Sequence, residues 1–232
     1  MKMKSRFAMA SLMALLISGC DNSELRDSFY KIESNAMKAS DPFKVMNEYY
    51  ATDKNYQDEC KYSTFPDKDC YKLDDINKSI MMNALDKGST DALLYLFTNR
   101  EEPKWIGLSD LPKDVQIQQA ERLIKLASSA DANKQNSKLF IAAGDELQSG
   151  DRVMQSTSEA IDMYIKAWKV GDMEAAEKLA SLYKDLGNVN SMYFWQIRAL
   201  QVESFSDAYR NLDAQTKLSI QKKAADRSII NL

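Results

Sequence analysis

Residues 158–187, SEAIDMYIKAWKVGDMEAAEKLASLYKDLG, decide the fold, because a glycine separates two amphipathic segments there. The first segment spaces its apolar residues at i, i+3, i+4, i+7 and i+8, which are Ala160, Met163, Tyr164, Ala167 and Trp168. The second segment has a similar face, formed by Ala175, Ala176, Leu179, Leu182, Tyr183 and Leu186. Each pattern predicts a helix with one apolar face, and Gly171 and Gly187 suit the caps that end such helices. The stretch therefore predicts a helix hairpin, which must stack on neighbours to bury its apolar faces.

A partial copy of this hairpin lies earlier in the chain. Residues 77–96, NKSIMMNALDKGSTDALLYL, align with residues 160–179 when Gly88 is set over Gly171. The alanines four positions before and after the glycine then coincide. The offset of 83 residues corresponds to two periods of about forty, which is typical of helical repeats.

A weaker middle copy lies between these two. Its Ala127 stands 43 residues after Ala84, but Asp131 replaces the glycine, so either Asp131 takes the special dihedral angle or the loop differs. Its second half, residues 142–150, lies 37 residues before the matching residues 179–187. The chain therefore carries a series of related helix hairpins.

The pattern resembles the Sel1-like repeat, a relative of the tetratricopeptide repeat, over roughly residues 77–200. The matching positions are Ala160, Tyr164, Ala167, Gly171, Ala175, Leu179, Ala180, Tyr183 and Gly187. The resemblance implies an all-α fold, a solenoid of αα-hairpins with a concave protein-binding surface. An unrelated all-helical bundle is the alternative.

The predicted organisation has four segments. Residues 1–19 form a signal peptide that is removed, and residues 20–76 form a tether and an N-terminal helical region. Repeats occupy residues 77–201, and C-terminal capping helices occupy residues 202–232, including a last helix that begins near Asp213. Within the N-terminal region, Asp41 is expected to cap a helix that begins at the next residue, a proline.

The N-terminus indicates export. Three basic residues precede an uncharged run from Phe7 to Gly19, which is shorter than the ~20 apolar residues of a membrane span. Ser18 and Gly19 before Cys20 resemble the lipobox of bacterial lipoproteins, which implies acylation of Cys20 and a lipid anchor on the periplasmic side of a bacterial membrane. The residue that follows, Asp21, favours the inner membrane by the same resemblance, and the outer membrane stays open. An ordinary signal peptide with an incidental cysteine is the alternative.

The other two cysteines, Cys60 and Cys70, form an even pair in an oxidising compartment. We expect them to form one disulfide that clips a nine-residue surface loop. A metal site or a redox pair is disfavoured, because the chain has no histidine and the spacing is not Cys-x-x-Cys.

Composition argues against catalysis and nucleic-acid binding. The absence of histidine removes the commonest general base and metal ligand, and the adjacent acid pairs lack the separation that glycosidase chemistry needs. Removing residues 1–19 leaves a net charge of −6, which disfavours nucleic acid as a partner. We expect no enzyme activity, cofactor or metal; an enzyme is the remote alternative.

Three aromatic residues are candidate anchors for a protein partner. Trp105 lies in a proline-flanked insertion, residues 100–112, and is the better-placed candidate for an exposed anchor. Tyr193 and Trp195 belong to a run of three consecutive aromatic residues, for which core packing is the alternative.

These features together predict an envelope-anchored protein-protein interaction module. Lipid-anchored repeat proteins of this size resemble the immunity proteins that neutralise secreted antibacterial toxins, including phospholipase effectors. An adaptor or regulator of an envelope assembly or secretion machine is the alternative.

Overall fold

The computed structural model describes residues 23–52, 68–98, 105–200 and 211–232, and its regular structure in these ranges is helical throughout. The α-helices are α1 (Ser23–Lys38), α2 (Pro42–Thr52), α3 (Lys68–Asp86), α4 (Thr90–Phe97), α5 (Lys113–Ser129), α6 (Ser137–Ser149), α7 (Thr157–Lys169), α8 (Glu174–Asp185), α9 (Val189–Ala199) and α10 (Ala214–Ala225). Short 3-10 turns at Leu108–Asp110 and Lys134–Asn136 precede α5 and α6. The all-α prediction is confirmed for the described residues.

The chain divides into two compact units between Lys87 and Gly88. The boundary expected after residue 76 falls instead inside the continuous helix α3. In the first unit α1, α2 and α3 all pack against one another. Their shared core consists of Phe29, Ala36, Phe43, Met46, Leu73, Ile76, Ile80, Met81, Ala84 and Leu85.

Polar contacts close the ends of these helices. Asp41 caps α2 as predicted, because its carboxylate accepts from the Lys44 N–H at 3.0 Å. At the end of α3, the Lys87 ammonium donates to the Ala39 carbonyl at 2.7 Å, just beyond α1. A cation placed there satisfies a carbonyl at the negative end of the α1 dipole.

The second unit arranges its helices in two layers. Lys166 on α7 donates to carbonyls in the last turn of α5, and Trp168 on α7 meets Trp195 on α9 edge to face, with ring centroids 5.5 Å apart. On the other side, Lys178 on α8 reaches Asp145 on α6 at 2.8 Å, and α4 packs against α6. Helices α5, α7 and α9 thus form one layer, and α4, α6 and α8 form the other.

The turns between helices agree in part with the prediction that a glycine stands at the turn of each helix hairpin. Gly88 and Gly171, which the repeat alignment superimposes, both adopt left-handed backbone conformations, with φ of 85° and 96°. Asp131 does not, since Leu200 has the only positive φ among the described non-glycine residues. Helix α5 stops at Ser129 and a 3-10 turn leads into α6, so the middle copy uses a different loop.

The tightest helix pairs differ from the predicted hairpin. Helices α7 and α8 do pack across Gly171, but α6 with α7 and α8 with α9 share larger contacts. Gly144 on α6 explains why α6 and α7 pack so closely, because the fully buried ring of Tyr164 on α7 lies against it. A Cβ at Gly144 would stand 2.8 and 2.9 Å from Cδ1 and Cζ of that ring and closer still to Cε1. The missing side chain therefore sets how closely α6 and α7 approach.

We predict that Gly144→Ala lowers the free energy of unfolding by about 1–3 kcal/mol, because the new methyl must displace the Tyr164 ring from a packed interior. Gly107→Ala is the control: Gly107 has no positive φ, and a Cβ there meets only flexible side-chain atoms, the nearest being Asp110 Oδ2 at 3.3 Å. Urea unfolding monitored by circular dichroism measures the free energy of unfolding of both variants. Equal stabilities of the two variants would contradict this account of the α6–α7 contact.

Candidate functional site

A cavity of about 150 Å³ opens on the layer formed by α4, α6 and α8. It is lined by Phe97, Thr98, Lys138, Ile141, Ala142, Asp145 and Glu174. Helix α4 contributes its C-terminal end, α6 its first three turns, and α8 its first residue. The site therefore depends on three helices that are separated along the chain and adjacent in one layer. We call it the α4–α6–α8 cavity.

Carbon atoms provide one part of its lining. Ile141 and Ala142 are buried on α6, and the Phe97 ring lies at the end of α4. Thr98 points its hydroxyl back along α4 and donates to the Leu94 carbonyl at 2.6 Å. This part of the cavity suits an alkyl or aromatic group.

Charged groups provide the other part. Asp145 is held on both oxygens: Oδ1 accepts from the Tyr164 hydroxyl at 2.7 Å, and Oδ2 accepts from the Lys178 ammonium at 2.8 Å. Glu174 lies 3.9 Å from the same ammonium. Partial burial raises the pKa of Glu174, Lys178 opposes the shift, and the carboxylates of Asp172 and Asp145 add to it. The carboxylates of Glu174 and Asp145 thus both line this part of the cavity, and the Lys178 ammonium contacts both of them.

A second ion pair braces Phe97. Arg152, in the loop after α6, binds Glu146 in bidentate fashion, with Nε–Oε2 and Nη2–Oε1 distances of 2.9 and 2.6 Å. Glu146 is buried, and the hydrogen bonds between the two side chains raise the pKa of Arg152. The guanidinium carbon lies 5.9 Å from the centroid of the Phe97 ring, within cation–π range. The loop after α6 is thereby tied to the end of α4.

Trp105 does not lie in this cavity. Its exposed fraction is 9%, and its backbone N–H donates to the Tyr95 hydroxyl at 2.6 Å. The two rings also pack together, with centroids 5.5 Å apart. The candidate Trp105 is therefore not an exposed anchor, because Tyr95 on α4 contacts it through both its ring and its hydroxyl.

Tyr193 and Trp195 are also buried, with exposed fractions of 3% and 1%. The Tyr193 hydroxyl accepts from the Gln221 amide on α10 at 2.8 Å, and Trp195 packs between Trp168 and Phe194. Their positions correspond to the core-packing alternative. None of the three predicted aromatic anchors lines the α4–α6–α8 cavity, and none of the cavity residues was among the candidate sites from sequence.

A buried arginine holds the C-terminal helix against this aromatic core. Arg198 is 5% exposed and donates to the carbonyls of Ala224 and Asp226 at the end of α10. Its guanidinium carbon lies 4.1 Å from the Phe194 ring centroid and 5.1 Å from that of Trp195. Burial lowers the pKa of Arg198, and the charge of Arg227 lowers it further. The Arg198 guanidinium thus caps the C-terminus of α10 by binding backbone carbonyls, and these bonds are not to a carboxylate.

Several predicted features lie outside the described residues. These are Cys20, Asp21 and Cys60; Cys70 lies near the start of α3, but its side chain is outside the description. Lipidation and the disulfide therefore stay predictions. Within the described ranges, no helix has the length and apolar character needed to span a membrane, and no cluster of three or more acidic or cysteine side chains is placed to hold a metal.

Comparisons of the chain with protein-family models, with curated proteins and with solved structures found no match.

We predict that Arg198→Met lowers the free energy of unfolding by about 2 kcal/mol, because two charge-assisted hydrogen bonds to carbonyls of the α10 end are lost. Arg227→Met is the matched control: the Arg227 guanidinium also contacts the Trp168 ring, at 4.6 Å, but the residue is exposed. Loss of the Arg227 contact with the Trp168 ring should lower the free energy of unfolding by about 0.5 kcal/mol. Chemical denaturation compares the two, and hydrogen exchange of the α10 amides should accelerate only in Arg198→Met.

Proposed function

We propose that this chain is an envelope-anchored lipoprotein with Sel1-like repeats that acts by binding another protein. The observation that carries the proposal is the α4–α6–α8 cavity, which is formed by alternate helices of a two-layer stack. Stacked helix hairpins present continuous faces on which a partner can lie. A cavity within such a face gives the partner one defined point of attachment.

The size of the cavity supports a protein partner over a small-molecule ligand. Pockets for cofactors and drug-sized ligands usually measure about 300–1,000 Å³, whereas this cavity measures about 150 Å³. Protein interfaces, by contrast, commonly bury single anchor side chains in small pockets surrounded by a broad contact area. One inserted side chain is the occupant that matches this volume.

The most specific form of the proposal is an immunity protein that captures a secreted antibacterial toxin, with phospholipase effectors among the toxin classes. The resemblance of the N-terminus to a lipobox supports a periplasmic position, where such toxins arrive. The acidic charge of the chain without residues 1–19 supports a partner with a basic surface. An adaptor for an envelope assembly or secretion machine is the alternative within the same class of binding protein.

The anchor is tested by Cys20→Ser. We expect the native chain to fractionate with membranes and the variant to leave them, because acyl chains on Cys20 supply the membrane affinity. Metabolic labelling with an alkyne fatty acid should mark the native chain and fail on the variant. Cys60→Ser is the control, since it removes a thiol without touching the acylation site. Unlabelled native chain in the soluble fraction would refute the anchor.

Binding is tested by co-expressing the chain with the product of a neighbouring toxin gene directed to the periplasm. We expect co-purification of the two proteins and rescue of growth by the native chain. The Cys20→Ser variant separates binding from location: it should still co-purify and should protect less well. A pair that neither co-purifies nor restores growth ends the immunity proposal. Crosslinked envelope complexes that contain no toxin would instead favour the adaptor.

A further inference from the structure

The geometry points to a lysine or arginine side chain of the protein partner as the occupant of the α4–α6–α8 cavity. This inference rests on the proposed function, because it assumes that the partner is a protein. It adds the chemistry of the contact: an alkyl stem against the apolar lining and a cation beside Glu174.

The lining matches a long side chain with a polar tip. Phe97, Ile141 and Ala142 offer carbon atoms along one side, while Glu174 offers a carboxylate on the other. Lysine and arginine have this division, since their methylene stems pack on apolar surface while the charged head stays near polar groups. The Phe97 ring also lies within cation–π range of a basic head group of the chain itself, since the Arg152 guanidinium carbon is 5.9 Å from its centroid.

The charges around the cavity favour a cation at Glu174. The Lys178 ammonium is bound closely to Asp145 at 2.8 Å and lies farther from Glu174, at 3.9 Å. Among the described residues, Lys178 is the cation within ion-pair distance of Glu174, and its shorter contact is with Asp145. A partner ammonium or guanidinium would supply a direct charge-assisted hydrogen bond. Lys138, which also lines the cavity, is exposed and can turn into solvent.

Other anchor side chains fit less well. An aliphatic or aromatic anchor would remove water from Glu174 without giving it a hydrogen bond, which is costly for a charged group. An acidic anchor could pair with Lys138, but it would face the carboxylates of Glu174 and Asp145. A basic anchor gives the Glu174 carboxylate a hydrogen bond. Within the part of the chain that the structure describes, the like charges that it meets are Lys178, which is bound to Asp145, and Lys138, which is exposed.

The first test uses model compounds and needs no partner. The full chain, ¹³C-labelled at isoleucine and alanine methyl groups, is titrated in detergent with the N-acetyl methylamides of lysine, arginine, norleucine and glutamate. We expect saturable shifts at the Ile141 and Ala142 methyls with lysine and arginine only. Shifts of equal size with norleucine, saturable shifts with glutamate, or no saturable shift with either basic compound would each overturn the inference.

The second test uses a matched pair of variants. Glu174→Gln keeps the shape of the cavity and removes its charge, and we expect about tenfold weaker binding of the lysine compound. Glu177→Gln is the control, because Glu177 also lies in the first turn of α8 and is exposed but does not line the cavity. Unchanged binding in Glu174→Gln, or an equal loss in both variants, contradicts the assignment.

The same variants distinguish this inference from the proposed function. With a captured toxin, Glu174→Gln should weaken binding about tenfold and Glu177→Gln should leave it unchanged. If the toxin binds both variants with the affinity that it has for the native chain, the basic anchor is wrong and the binding function stands. If the lysine compound binds but no toxin is captured, the immunity proposal fails while the chemistry of the cavity stands.

Discussion

The second unit depends on the contact between the Tyr164 ring and Gly144. A glycine in the middle of a helix is unfavourable by roughly 0.5–1 kcal/mol relative to alanine, so its place in α6 needs compensation from packing. Tyr164 provides it by filling the space where a Cβ would stand, with its whole side chain buried. The hydroxyl of a buried phenol still needs a hydrogen-bond partner. This requirement fixes the position of the group that accepts from Tyr164.

That group is Asp145, which connects the packing contact to the α4–α6–α8 cavity that it lines. The Tyr164 hydroxyl donates to Asp145, and burial together with the Asp145 charge raises the pKa of Tyr164 far above its usual range, which keeps the hydroxyl a donor. The other carboxylate oxygen holds Lys178 of α8. The spacing of α6 and α8, and so the width of the cavity between them, follows from this chain of contacts. The Lys178 ammonium lies closer to Asp145, at 2.8 Å, than to Glu174, at 3.9 Å, as a direct consequence.

The sequence predicted the helices and many of their ends, because helical spacing and capping residues are local signals. It did not predict which helices pair most closely, since Gly144 reads as one small residue among several and only the fold shows the ring against it. The candidacy of Trp105 as an exposed anchor failed because its contact with Tyr95 joins a residue of the insertion to the preceding helix, and the sequence gives no local signal of that contact. The cavity was missed for a related reason. Asp145 and Glu174 come from alternate helices, and the 37-residue repeat offset implied only that α6 and α8 are equivalent helices.

Charge and shape act at different ranges in the proposed contact. A net charge of −6 on the chain without residues 1–19 acts over about a Debye length, which is ~8 Å at physiological salt, and can raise the rate at which a basic partner arrives. The cavity acts only after contact, when a stem lies against Ile141 and a cation meets Glu174. Mutations within one interface change dissociation more than association. Loss of the Glu174 charge should therefore shorten the lifetime of the complex, whereas added salt should slow its formation.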